Sequence, residues 1–157
     1  GADGKANPGM GYGDMPNVFE SPKDGFLYVF TNSRNSYKEM KAGHCLMRTK
    51  PAEFANPSSW RGWGGTSFDI AFVNPYLDTV VDPAKHVCSP VNISFAPHDL
   101  GWSTFHGKYI AVGSGIHTLP NGTRFHGLAM LYALSDDLLH WSEPGFLKRK
   151  FLVGIRA

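Results

Sequence analysis

An internal repeat constrains the fold of this chain more than any other feature of its sequence. One unit runs from Gly25 to Trp60 over 35 residues, and a second runs from Gly107 to Trp141 over 34. Each unit opens with a glycine and a nearly continuous apolar run, GFLYVF in the first and GKYIAV in the second. The two glycines are 82 residues apart. Similarity at a fixed interval is typical of architectures built from stacked units.

The pattern within each unit indicates short strands. A polar loop follows the first apolar run, and a second run then begins at Gly43 or Gly127. Short apolar runs bounded by turns are typical of strands buried on both faces. The 18 glycines and 11 prolines are spread along the chain, which favours many turns and little helix. We therefore predict an all-β chain, residues 1–157, with β-propeller blades at 14–65 and 98–145.

Two blades cannot close a propeller ring. Three arrangements remain open at this point. The chain is part of a larger propeller, or copies of the chain associate to complete the ring, or the fold is a smaller sandwich with the same strand pattern.

Three segments resemble parts of known enzymes. Residues Ser135–Trp141 read SDDLLHW, and residues Gly13–Phe19 are followed by the run Asp24–Phe30. They are similar to the S-x-D-L-x-x-W and E-x-P-x-x-F … D-G-x-Y-x-x-F segments of five-bladed β-propeller glycoside hydrolases, the invertase-like and arabinanase/xylosidase-like enzymes. The resemblance implies a five-bladed propeller and cleavage or transfer of glycosidic bonds. It also implies that Asp14 stands at the position of the general acid, where the family has glutamate.

Glycoside hydrolysis uses two carboxyl groups, one to protonate the leaving oxygen and one to attack the sugar or activate water. Asp14 comes just before the first strand of the first unit. Asp99 comes at the equivalent place in the second unit, 85 residues later. We predict that Asp14 and Asp99 face one channel, although either could be an ordinary turn aspartate. The family's other aspartate, in an N-D-P or A-D-P context, has no clear counterpart, since Asp82 precedes proline in a loop-like stretch.

Five further residues are candidates for binding the substrate. A sugar site needs polar groups for the hydroxyls and aromatic faces for the C–H surfaces, and an arginine would suit an acidic sugar. If these residues do not bind substrate, the histidine is a solvated loop residue and the aspartate is a polar residue on an outward strand face. The two tryptophans are then core residues, and the arginine is a surface cation. The candidates are His98, Asp69, Trp63, Trp102 and Arg61.

Composition excludes several other functions. The net charge of +2 is too small to indicate a nucleic-acid partner, and no apolar run is long enough to span a bilayer. We expect no metal or other cofactor. Cys45 and Cys88 could form a disulfide or remain core thiols. The sequons at Asn92 and Asn121 favour an extracellular protein.

Two functions of different classes follow from these observations. The first is a carbohydrate-active protein that hydrolyses or transfers glycosidic bonds with paired carboxylates. The second is a propeller module without catalysis, which binds a glycan or a protein, or an inactive fragment.

Overall fold

The computed structural model describes residues 12–13, 17–33, 41–72, 82–115 and 129–147. The prediction for Asp14 falls outside these residues, as does the sequon at Asn121. The strands are β1 (Tyr12–Gly13), β2 (Phe19–Glu20), β3 (Leu27–Ser33), β4 (Gly43–Thr49), β5 (Arg61–Trp63), β6 (Phe68–Ala71), β7 (Ala96–Ser103), β8 (Lys108–Gly115), β9 (Ala129–Ser135) and β10 (Gly145–Phe146). Short 3-10 turns occupy Pro51–Glu53, Pro57–Ser59 and Pro83–His86. The all-β prediction is confirmed for this part of the chain.

The strands form two antiparallel sheets. In the first, the order is β1-β3-β4-β5-β6, and β2 also pairs with β3. In the second, the order is β7-β8-β9-β10. From β3 to β6 and from β7 to β10, each strand therefore pairs with the next strand in the chain. Such connections need only short turns, which suits a sequence with glycine and proline spread throughout.

The hairpin into β3 and the hairpin into β8 have the same turn. The N–H of Gly25 donates to the carbonyl of Ser21 at 2.8 Å, and the N–H of Gly107 donates to the carbonyl of Ser103 at 2.8 Å. Both glycines have positive φ, +69° and +61°. A side chain at either position would be strained, so the glycine that opens each apolar run is required by the turn.

Side chains organise the turn after β9. The Ser135 hydroxyl accepts from the N–H groups of Asp137 and Leu138, and the Asp137 carboxylate accepts from the N–H and the ring of His140. Leu138 has a φ of +68° and is buried. The indole of Trp141 donates to the Leu138 carbonyl at 2.9 Å. The segment SDDLLHW is therefore a capped turn that places one leucine and one tryptophan in the core.

Both sheets contribute to one hydrophobic core. The ring of Phe30 on β3 lies 6.0 Å from that of Trp141. The hydroxyls of Ser21 and Tyr109 are hydrogen-bonded at 2.7 Å in a buried position. The buried members of this core are Tyr28, Phe30, Leu46, Val91, Ile93, Phe95, Leu100, Tyr109, Ala111, Ala129, Leu131, Ala133, Leu138 and Trp141.

A disulfide joins β4 to the segment between the sheets. The sulfur atoms of Cys45 and Cys88 are 2.03 Å apart, and both residues are buried. Next to this bond, the N–H of Val91 donates to the carbonyl of His44 at 2.9 Å. The sequence allowed either a disulfide or two core thiols, and the structure contains the disulfide.

Candidate functional site

A β-bulge in β7 brings two consecutive polar side chains to the surface. Pro97 pairs with Gly113 and Asp99 pairs with Val112, so His98 is an extra residue in the ladder. Consecutive side chains in a regular strand point to opposite faces, but both His98 and Asp99 are exposed. A bulge changes the direction of a side chain in this way, and bulges are over-represented beside active sites.

Gly113 is what permits the bulge. A Cβ atom at this position would overlap the carbonyl oxygen of Ala96 on the neighbouring strand and lie 2.8 Å from the Cα of Pro97. The backbones of β7 and β8 therefore approach each other more closely than any residue with a side chain would allow.

The bulge forms one wall of an open pocket. The pocket is a shallow cleft open to solvent, with a cavity volume of about 10 Å³, and is lined by Asn17, Phe30, Pro97, His98, Asp99 and Leu100. Phe30 belongs to β3 of the first sheet, Asn17 lies between β1 and β2, and the other lining residues belong to β7. The pocket thus lies where the two sheets meet.

Two hydrogen bonds fix the polar groups of this pocket. The Asn17 amide donates to Oδ1 of Asp99, and the ring of His98 is bonded through Nε2 to the Ser114 hydroxyl at 2.7 Å. A carboxylate has about four acceptor sites, so Asp99 can still accept hydrogen bonds from a ligand's hydroxyls. The cleft itself has room for about one water molecule, so a larger ligand would lie over these hydrogen-bonding groups and not inside the cleft.

Asp99 is the one acidic residue among the described residues that line the pocket. Its predicted partner, Asp14, lies outside the described residues. Asp99 lies within β7, the strand that precedes the apolar run of the second unit in β8.

Asp69 and Arg61 bond to neighbouring loops. The Asp69 carboxylate accepts from the Ser67 hydroxyl at 2.7 Å. Arg61 donates through Nη1 to the carbonyls of Ser58 at 2.6 Å and Trp60 at 2.9 Å. Neither residue lines the pocket. The hydrogen bonds of Arg61 hold the loop that precedes β5.

The two tryptophan candidates pack against other aromatic rings. Trp63 lies 5.1 Å from the ring of Phe68, and Trp102 lies 5.1 Å from the ring of Tyr109. The Lys23 ammonium lies over both Trp102 and Tyr109. Both indoles are partly buried against the core, and neither lines the pocket.

Asn17 and Ser114 are contacts of the site that the sequence reasoning missed. Asn17 is within the Gly13–Phe19 segment that carries the family resemblance, so its context offered a signal. Ser114 had none, because its contact with His98 depends on the register between β7 and β8.

A second polar cluster lies on β3 and β4. The Arg48 guanidinium is held between the rings of Phe26 and Phe68, at 4.2 and 4.3 Å, and donates to the Tyr28 hydroxyl at 3.3 Å. Burial, together with the neighbouring Asp24 carboxylate, raises the pKa of Tyr28 to about 12, although Arg48 acts in the opposite direction. The groups in this cluster satisfy one another, which indicates a role in stability.

Clustered metal ligands and long apolar helices are both absent from the described ranges. Within them, no group of three or more His, Cys, Asp or Glu residues is placed to hold a metal ion, and no helix has the length and apolar character needed to cross a membrane. Comparisons with protein-family models, curated proteins and solved structures found no match for this chain.

Proposed function

We propose that this chain is part of a carbohydrate-active, extracellular β-propeller that hydrolyses or transfers glycosidic bonds with Asp14 and Asp99 as its paired carboxylates. The pocket between the sheets is its sugar site. His98 and Asn17 bind hydroxyls beside Asp99, and copies of the chain or further blades complete the ring.

Three features of the strands support the blade arrangement. Both sheets contain a run of strands in which each strand pairs with the next in the chain. Both hairpins open with the same hydrogen bond to a glycine of positive φ, at Gly25 and Gly107. Both units end with a tryptophan whose indole donates to a carbonyl of the preceding turn, from Trp60 to Phe54 and from Trp141 to Leu138. Radially repeated sheets of this kind make up propellers.

The contact between Asn17 and Asp99 carries the functional part of the proposal. Asn17 follows Asp14 by three residues in the segment that resembles the acid-bearing segment of the family. Its amide is bonded to Asp99, 82 residues away in the chain. The Asn17 end of this segment therefore contacts the strand that contains Asp99, and this contact supports the proposal that Asp14 acts at the same pocket.

The test is activity of the chain on aryl glycosides and polysaccharides, with Asp14→Asn and Asp99→Asn beside it. A group that transfers a proton in the transition state contributes about 10²- to 10⁴-fold, so we expect each variant to lose at least about 10²-fold in kcat. Asp69→Asn is the matched control, because its carboxylate bonds to Ser67 away from the pocket. Activity that survives in both pocket variants would remove these residues from the mechanism.

The second candidate is a propeller module that binds glycan without cleaving it. The single acidic residue among the described lining residues favours this function. The two candidates differ in one measurement. If the module is non-catalytic, titration calorimetry should show that it binds oligosaccharides and activity assays should show no turnover. The Asp99→Ala variant should then lose the binding.

A further inference from the structure

We infer that Asn92 is a site of N-linked glycosylation. The residue begins the sequon Asn92-Ile93-Ser94 in the segment between the two sheets. The inference does not depend on the proposed function, because it rests on the geometry of this segment and on the nearby disulfide.

The local structure exposes the two residues that define the sequon and anchors the one between them. Asn92 and Ser94 are exposed, and Ile93 is buried in the shared core. The N–H of Ile93 donates to the carbonyl of Val91 at 3.0 Å, so the chain turns tightly at Asn92. A glycan is bulky and needs a surface position, and the segment provides one without disturbing the core.

The side chain of Asn92 is oriented by its own carbonyl. Its Oδ1 accepts from the N–H of Trp141 at 3.0 Å. The carboxamide is planar, so fixing Oδ1 against the protein fixes the direction of Nδ2 as well. Among the described hydrogen bonds, none is made by Nδ2, which is the atom that carries the sugar. A glycan on Nδ2 leaves Oδ1 free to keep its bond to Trp141.

The disulfide is an independent indication of the compartment. Cys45 and Cys88 form a buried disulfide, and Cys88 lies four residues before Asn92. Disulfides form and persist in oxidising compartments such as the lumen of the secretory pathway. In the glycosylation step, Nδ2 bonds to the anomeric carbon of a lipid-diphosphate-linked oligosaccharide. The bond from that carbon to the diphosphate breaks, the lipid diphosphate leaves, and the amide loses one proton.

The experiment directs the chain into the secretory pathway of insect cells with a host leader peptide. Disulfide-bonded molecules are isolated from cells and medium together. Peptide N-glycosidase in H₂¹⁸O then marks each formerly glycosylated asparagine as ¹⁸O-labelled aspartate, which peptide mass spectrometry locates. We expect the label at Asn92 in the unaltered chain.

Two variants separate glycosylation from other causes of the signal. Ser94→Ala destroys the sequon while Asn92 and its bond to Trp141 remain, so we expect complete loss of the label. Ser94→Thr restores a sequon and should restore the label. Unlabelled Asn92 in disulfide-bonded protein would overturn the inference, whether or not Asn121 is labelled, and so would a label that persists in Ser94→Ala.

Discussion

Removing the disulfide offers a quantitative test of how the two sheets are held together. The bond closes a loop over a sequence separation of 43 residues between Cys45 and Cys88. In the chain-entropy model, a loop of this length removes about 13 cal/mol/K from the unfolded ensemble, or about 4 kcal/mol at 25 °C. The double variant Cys45→Ala/Cys88→Ala should lose at least that much free energy of unfolding, because it also removes two buried sulfur atoms.

The assay is equilibrium unfolding in urea, followed by tryptophan fluorescence and far-UV circular dichroism. The unaltered chain is compared with its reduced form and with the double variant. Reduction breaks the cross-link but keeps both sulfur atoms, so it isolates the entropic effect. For a chain of this size, a loss of 4 kcal/mol corresponds to about 8–16 °C in Tm.

The slope of the unfolding free energy against urea supplies a second criterion. An unfolded chain without the cross-link is more expanded and exposes more surface, so the m-value should rise. A loss below about 1 kcal/mol, or a full loss at an unchanged m-value, would refute the argument. The first result would mean that strain in the folded state offsets the constraint, and the second that the bond acts on the folded state alone.

Four further substitutions test the turn, the bulge and the pH dependence of stability. Hydrogen bonds outweigh the effect of burial and lower the pKa of Asp137 to about 2. Its contribution to stability is therefore complete above about pH 4 and lost as the pH falls through 2, and Asp137→Asn should remove about 1 kcal/mol of it after discounting for solvent screening. Burial lowers the pKa of His44, so urea titrations should show stability falling as the pH drops below 6.5, and His44→Gln should abolish that fall. Leu138→Ala should cost about 3 kcal/mol, because the side chain is fully buried. Gly113→Ala should cost about 1–3 kcal/mol and, by NMR, shift the amide signals of His98 and its neighbours, since a Cβ atom there meets β7. The reasoning would be contradicted if Asp137→Asn left the loss of stability near pH 2 unchanged, or if His44→Gln left the fall below pH 6.5 unchanged. It would also be contradicted by a loss below about 1 kcal/mol in Leu138→Ala, or by unmoved amide signals in Gly113→Ala.

The strands that could be predicted are those with a continuous apolar run. The run GFLYVF overlaps β3, and the run GKYIAV overlaps β8. Each strand places one face in the shared core, and its other face is partly covered. The sequence also placed Trp141 at the end of a unit, and the structure buries it. Because the residues after the glycine are buried or half-buried, nearly all of them are apolar, and the composition of the run reveals the strand.

The pocket was harder to predict because its geometry depends on pairing between distant segments. The bulge at His98 requires a glycine on the opposite strand, and nothing near His98 in the sequence records that Gly113 will pair there. The contact from Asn17 to Asp99 likewise joins residues 82 positions apart. Trp63 and Trp102 were ambiguous for a different reason, since a tryptophan suits a sugar platform and a core equally well.

The bulge in β7 also has a consequence for how this surface could vary between related chains. Pro97 and Leu100 are buried, and the two residues between them are exposed. Deleting His98 alone would leave Pro97 inside, Asp99 outside and Leu100 inside, which is the alternation of a regular strand. A single-codon deletion or insertion could therefore remove or restore the histidine while every buried side chain keeps its place. The length of this strand, as well as the identity of its residues, encodes what the pocket presents to a ligand.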